Sequence, residues 1–580
     1  MREVSLGAPL KRQVSFLDWL SIPFSLHTLV PAVILLLVIP PLAVVFLASL
    51  KPAAALPFDS VPITLHNYEQ LFSDPFFYKL AINTFLYASC SLLTGLILAL
   101  PIVWLVERTD MPGKNWISTA MFIPLIIPGM LTSFGWVLLV SPRTGVLNIW
   151  LREILGIQGQ GPLNIYSFFG LVFLTGISIV PGIFIMLSGL FRNMDPELEE
   201  AGAAAGGDNR TVLFRITLPL MAPGVISVSI YYTIILIEMF EIPLLIGLNA
   251  NFPVLSTYIF SLVFPENTAP SYGLAGTFGS FAVIIGLGLA HIYERFTRAI
   301  YKFSVLRGRR SARRIVRLGR WKYLGLFLVS LYLFMKVVIP FLALVWSSLF
   351  STLLQSSSGT FGTMSFGVYA LVFQDQRLFH ASVNSLILVL MVATSTMLLA
   401  TLVSWIVVRS QNVWVRWLDA IAFLPRAIPG IVIALGILFI LLRTPIYGTL
   451  WLLIIGHTVS YLPFGVRIMN ASLMQLHSEL EEASRTSGAG SFSTFRRILM
   501  PLLRPALWNG WLWVVAHSVR DFTFPLMLGT STNIVVAQLI WQYWQLGLVE
   551  RAAAVSVLLI GLLTLVVFPA RYYISRHQTF

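Results

Sequence analysis

Apolar runs of twenty residues and more recur along the whole chain, and runs of that length leave few folds open. They fall near 28–50, 80–106, 116–140, 165–190, 218–247 and 273–293. A second set falls near 324–350, 382–408, 417–442, 447–474, 502–528 and 552–574. A helix needs roughly 20 apolar residues to cross a bilayer. Lipid offers no partner to a free backbone N–H or C=O, so such runs span as helices that bond internally. Barrel strands are shorter and alternate in polarity, which these runs do not. The pattern predicts an all-α polytopic membrane protein with about twelve transmembrane helices. Composition agrees: 57% of the 580 residues are hydrophobic and 11% are charged, against roughly 25% charged in soluble domains. A soluble globular protein, a disordered chain and a collagen-like fibre are excluded.

The formal net charge of +14 matters by its location. Lys11 and Arg12 precede the first run, a dense basic stretch from Arg295 to Lys322 follows the sixth, and Arg571 and Arg576 close the chain. Even numbers of spans separate these regions, so all three share one side. The positive-inside rule makes that side cytoplasmic, with both termini there. No aromatic platform is interleaved with the central charges, so nucleic acid is not an expected partner, and the lipid surface is. The single cysteine, Cys90, excludes an internal disulfide and any multi-cysteine metal site. The first run is too long for a cleaved leader and reads as a retained anchor.

The chain repeats itself. Glu197-Leu198-Glu199-Glu200-Ala201 returns identically as Glu479-Leu480-Glu481-Glu482-Ala483, 282 residues later. Gly206, Ile216, Pro219 and Pro223 return as Gly488, Ile498, Pro501 and Pro505 at the same spacing. Upstream the spacing is 301: Phe122, Pro124, Pro128 and Gly129 match Phe423, Pro425, Pro429 and Gly430. Tyr68, Phe72, Asp74 and Asn83 match Tyr369, Phe373, Asp375 and Asn384. The first half therefore holds extra residues around 141–164. Six spans per copy make the repeats parallel, with a pseudo-two-fold axis along the membrane normal. The expected parts are a cytoplasmic segment 1–27, a first repeat 28–298, a basic linker 299–322 and a second repeat 323–575. The prolines at 124, 128, 425 and 429 are expected to kink the third span of each half. Asn83 and Asn384 are expected to hydrogen-bond between helices.

The repeated Glu-Ala segment lies between the fourth and fifth spans of each half. Asp195 and Pro196 suit a helix start, and Ser478 with Glu481 has capping-box spacing. The acidic residues suit a helix N-terminus, and Gly206 and Gly488 suit the turn that ends it. Short polar helices near 195–206 and 477–488, held by spans at both ends, are expected.

At these residues the sequence resembles the membrane subunits of ATP-binding-cassette importers, whose signature reads E-A-A-x3-G-x9-I-x-L-P. Glu200-Ala201-Gly202, Gly206, Ile216 and Leu218-Pro219 fit it, as do Glu482-Ala483-Ser484, Gly488, Ile498 and Met500-Pro501. Gly202 and Ser484 stand for the second alanine and Met500 for leucine, all conservative departures. The resemblance covers roughly 60–295 and 365–575. It implies a type I importer permease fold in a bacterial inner membrane, with the segment acting as a helix that couples to an ATPase subunit. Glu197, Glu199, Glu200, Ala201, Gly206, Ile216 and Pro219 would carry that role, with Glu479, Glu481, Glu482, Ala483, Gly488, Ile498 and Pro501. The implied partners are two ATPase copies, which bind ATP and Mg, and a periplasmic binding protein. The chain itself has no G-x-x-x-x-G-K-[ST] loop, so it is not expected to be an enzyme or to hold a cofactor of its own.

Charges inside spans are functional candidates. Glu238 and Glu241 lie in the fifth span, and Arg520 and Asp521 lie in its counterpart. About 19 residues, roughly 28 Å of helix, separate Pro219 from Glu238, which places the group near the outer end. The four residues read as an outer gate that closes by pairing across the pseudo-axis, or equally as an ordinary interfacial ion pair. Whether they hold a metal is left open. Fused two-copy permeases look most like the ferric iron group, with Phe240-Glu241-Ile242-Pro243 and Tyr68-x-x-Leu71-Phe72-x-Asp74-Pro75 carrying the similarity. Polyamine, thiamine and phosphonate importers remain rivals. A major-facilitator-type secondary transporter shares the two six-span halves. Its G-x-x-x-D-R-x-G-R signature is absent from the 107–114 loop, and it offers no reason for the repeated segment.

Overall fold

The structure, a computed structural model, describes residues 26–194, 197–303, 315–350, 364–410 and 413–577. Regular structure among them is helical, apart from one isolated bridge between Thr109 and Val316. The first half contributes α1 (Leu26–Ser49), α2 (Pro75–Arg108), α3 (Gly129–Val140), α4 (Phe168–Asn193), α5 (Glu197–Ala204), α6 (Asn209–Glu238) and α7 (Tyr272–Phe303). The second contributes α8 (Trp321–Leu349), α9 (Gln376–Arg409), α10 (Gly430–Leu441), α11 (Leu450–Met474), α12 (Glu479–Thr486), α13 (Met500–Arg520) and α14 (Val549–His577). Lys11, Arg12, Asp195, Pro196 and the linker residues 304–314 lie outside the description, as do the side chains of Arg571 and Arg576.

Eight described helices are long and apolar enough to cross a membrane, or ten if each of two sharply bent pairs is one span. The expected twelve is therefore not reached on length and composition. The run expected at 502–528 is α13, which carries Arg504, His517 and Arg520 and ends at Arg520 rather than continuing. The run expected at 552–574 is α14. The proline-marked third spans do more than kink. The chain turns by 90° between Lys114–Ile126 and Gly129–Val140, and by 106° between Val415–Ala427 and Gly430–Leu441. Proline lacks an N–H and pushes its predecessor out of the helical region, and two prolines four apart open the helix fully.

Matched residues start matched helices. Asp74 Oδ1 accepts from the Phe76 N–H at 2.8 Å, and Asp375 Oδ1 from the Arg377 N–H at 2.9 Å, so α2 and α9 are capped alike. Asn83 donates to the Pro253 carbonyl at 3.2 Å and Asn384 to the Ile534 carbonyl at 2.9 Å. Each ties its span to the loop before a short buried helix, rather than to a neighbouring span. The extra 141–164 stretch forms a helix, Val146–Leu155, and buried Asn148 holds its ends by donating to the carbonyls of Ser141 and Leu163.

The halves interlock. α1 packs on α10 of the other half, and α8 packs on α3. Each crossing needs a glycine: a Cβ on Gly135 would overlap the Pro340 backbone, and one on Gly436 the Pro41 carbonyl. These glycines are 301 residues apart. Close backbone approach at small residues is how helices associate without a hydrophobic drive in lipid.

Candidate functional site

Two sites emerge, one at the end of the bundle that carries the linker, the other in its interior. At the linker end, α5 and α12 lie where the sequence expects the repeated segments. Gly206 and Gly488 end them in left-handed backbone, at φ 89° and 84°, a conformation that costs glycine nothing. Gly202 sits against Ile216 with no room for a larger side chain unless Ile216 shifts. The small residue and the isoleucine of the motif are thus one packing contact.

The middle acid of each segment turns inward. Glu199 is 4% exposed, accepts from Thr217 Oγ1 at 2.6 Å and lies 3.4 Å from Arg108 Nη1. Glu481 is also 4% exposed and meets Arg409 Nε at 2.5 Å. Glu481 is therefore spent on Arg409 and not on the capping box. Arg108 also donates to the carbonyls of Phe191 and Met194, and Arg409 to that of Leu476. Each arginine is the last residue of the second span of its half and clamps the segment to that span. Sequence reasoning missed both, although Arg108 and Arg409 share the 301-residue spacing that would have shown them. Leu198, Glu200, Leu480 and Glu482 stay exposed.

The first clamp has a cover that the second lacks among the described residues. The Val316 N–H donates to the Arg108 carbonyl at 2.8 Å, the Asp110 N–H to the Val316 carbonyl at 3.1 Å, and the Leu318 N–H to Asp110 Oδ1 at 2.8 Å. The end of the linker thereby straps across α2. Val316 lines a small recess with Arg108, Glu199 and Thr217.

The interior site is a cavity of about 280 Å3 where the two proline breaks meet α6 and α13. Glu238, Glu241, Arg520 and Asp521 all line it, joined by Lys336 and Arg426. Its depth differs from expectation. Lys336 is fifteen residues into α8 and thirteen from its end, so the cavity lies mid-bundle and not at the outer end. The chain does not leave the bundle at Glu238; it turns into a buried π turn, Pro243–Gly247.

The four residues do not pair with one another as a gate closing on itself would; each finds another partner. Glu238 Oε1 accepts from Arg426 Nη1 at 3.0 Å, and Arg426 also lies over the Tyr231 ring at 5.0 Å. Arg520 Nη1 donates to the Leu125 carbonyl. Glu241 accepts from the N–H of Met130 at 3.1 Å and of Phe522 at 3.3 Å, joining the halves. Asp521 accepts from Tyr461 Oη at 2.8 Å and from the Phe524 N–H at 3.2 Å. With these bonds made, the carboxylates do not converge: among the described residues no three His, Cys, Asp or Glu side chains are grouped to hold a metal.

Comparison with known proteins follows this geometry. Over 471 residues the chain is 22% identical to an Fe(3+)-transport system permease protein of Haemophilus influenzae, covering 80% of this chain and 84% of the relative. It is 26% identical over 435 residues to a ferric transport system permease protein of Actinobacillus pleuropneumoniae, covering 74% of this chain and 60% of that one. Residues 397–578 match the family of binding-protein-dependent transport system inner membrane components. These similarities are all to permease components of binding-protein-dependent transport systems. Among solved structures, a bacterial ABC transporter involved in import of the acidic polysaccharide alginate matches at TM-score 0.36 and 17% identity, over 44% of this chain and 94% of that chain. With eight to ten described helices long and apolar enough to cross a membrane, the chain is a multi-pass membrane protein, helical through its described length apart from the Thr109–Val316 bridge.

Proposed function

We propose that this permease is the transmembrane subunit of an ATP-driven, binding-protein-dependent importer that takes up ferric iron by alternating access. The observation that carries this reading is the pair of clamped segments. Each half holds one short helix by a buried Arg–Glu contact and leaves a Leu-Glu face, Leu198 with Glu200 and Leu480 with Glu482, exposed at the same end of the bundle. Two such faces suit two ATPase subunits, which supply the ATP and Mg that the permease has no phosphate loop to bind. A clamped helix transmits a push to its span, and a floppy loop does not. On this reading the clamped end and both termini are cytoplasmic, and a loaded periplasmic binding protein docks on the opposite loops. Closure of the ATPases moves the halves apart at the interior cavity, and hydrolysis resets it. Ferric iron is favoured by similarity to ferric transport permeases across three quarters of the chain.

The test is reconstitution of the chain in vesicles with an ATPase and a periplasmic binding protein of a ferric importer from the same organism, with uptake of labelled ferric iron followed with and without ATP. ATP-dependent iron uptake, lost in a Glu200→Lys, Glu482→Lys double variant that still hydrolyses ATP, is the expected result. Uptake driven by a proton gradient without the ATPase overturns the importer reading. Uptake of a polyamine in place of iron overturns the substrate alone.

A further inference from the structure

Lys336 is the charged group in the interior cavity that the preceding reading leaves without a role. It is 3% exposed and sits in a π turn, Phe334–Val338, within α8. Such turns are uncommon and cluster at functional sites. Its ammonium donates to Ser178 Oγ at 2.8 Å and has no carboxylate within ion-pair distance among the described residues. Arg520, on the same cavity, is spent on a neutral acceptor, the Leu125 carbonyl. The acids are the opposite case. Both oxygens of Glu241 and both of Asp521 accept hydrogen bonds, and Glu238 already faces Arg426.

Lys336 and Arg520 are therefore the cavity's cations that have no carboxylate in ion-pair contact among the described residues, and both keep unspent donors. An ammonium has three donors and a guanidinium five. A buried cation without a counter-ion in contact is costly; Lys336 is such a cation, and it lines the same cavity as the part-buried Arg520, where a ligand can reach both. A bare metal ion would bring a further positive charge next to Lys336 and finds no group of three ligating side chains among the described residues. A ligand with anionic oxygens supplies what both lack, through short charge-assisted bonds. The volume, about 280 Å3, is at the lower edge of small-molecule pockets, which run from about 300 Å3 upward, so the ligand is compact.

We propose that the interior cavity is a binding site for a compact oxyanion, a carboxylate- or phosphate-bearing ligand, held by Lys336 and Arg520. The proposal rests on the importer reading in placing the cavity on the transport path. It names the form in which the cargo crosses: with its oxygen ligands, not as a naked cation.

The experiment uses the permease with its ATPase subunits in lipid nanodiscs. Inorganic phosphate, citrate and ferric citrate are each titrated by calorimetry against wild type, Lys336→Met and Lys336→Arg, with melting temperatures to confirm folding. Saturable binding of at least one probe is expected, weakened about tenfold or more in Lys336→Met and restored in Lys336→Arg. Binding of phosphate or citrate alone marks a free oxyanion site, and binding of ferric citrate only marks a chelate site; both support the proposal. No saturable binding in wild type, or equal binding in a folded Lys336→Met, overturns it. The vesicle uptake assay separates the two readings, because oxyanion binding without ATP-dependent uptake sinks the importer reading and leaves the site standing.

Discussion

Arg426 Nη1 lies 3.0 Å from Glu238 Oε1, and the internal repeat maps this contact onto another in the same cavity. Arg426 corresponds to Leu125 at the 301-residue spacing, and Glu238 to Arg520 at the 282-residue spacing. Arg520 donates to the Leu125 carbonyl. The same two backbone positions thus meet twice across the halves, once as an ion pair and once as a charge on a carbonyl. Backbone symmetry has been kept while the chemistry has been divided.

Breaking one side of the ion pair leaves a charge in a poorly solvated cavity. Glu238→Gln and Arg426→Gln are each expected to lower stability by about 2–3 kcal/mol, below the range for fully buried pairs because both side chains keep some exposure. The double variant should lose less than the sum of the two. Thermal melting of all four proteins in one lipid mixture checks this, and simple additivity would show that the two groups do not interact.

On the proposed importer function, the clamps at the linker end predict uncoupling more than collapse. Arg409→Ala strands Glu481, which is 4% exposed, and is expected to cost about 3 kcal/mol locally. Transport per ATP hydrolysed should fall several-fold while the assembled complex persists on gel filtration. Arg409→Lys keeps the charge but not the fork that also reaches the Leu476 carbonyl, so it should recover only part of the ratio.

The strap makes the two clamps unequal. Asp110→Ala removes the acceptor of the Leu318 N–H, a bond worth about 1 kcal/mol. Hydrogen exchange at Val316 and Leu318 is expected to speed up about fivefold in this variant. Exchange in α12 of the second half should not change.

Acid should act at the α9 cap. The side chain of Arg377 holds the Asp375 carboxyl well below the usual carboxylate range, helped by the Tyr543 hydroxyl and the Arg377 backbone N–H. A depressed value in the folded state means that the stabilisation is complete above the unfolded value, about 3.9. It is lost as pH falls from there through the folded value. Arg377 is half-exposed and solvent screens the pair, so the contribution is about 0.5–1 kcal/mol. Melting of wild type and Asp375→Asn should differ at pH 7, and the gap should close towards pH 2.

Some of this could be read from the sequence because it is local. Apolar length decides that a run spans, since lipid leaves the backbone no other partner. Spaced prolines decide that the third spans break, and glycines at 206 and 488 decide where the repeated Glu-Ala segments end. The repeat was visible because equal roles in two halves kept equal residues. The partners of the charges were not visible. The sequence expected Glu238, Glu241, Arg520 and Asp521 to close a gate by pairing among themselves, yet Glu238 and Arg520 are equivalent in the repeat, sit on opposite sides of a pseudo-axis and each meets the other half. Pairing therefore falls to Arg426 and Leu125, which are equivalent to each other. Arg108 and Arg409 look like ordinary basic residues at span ends until α5 and α12 fold back under them. Covalent spacing and solvent preference act along the chain and can be read there. Which buried charge faces which is set by the packing of helices more than a hundred residues apart, and only the tertiary structure decides it.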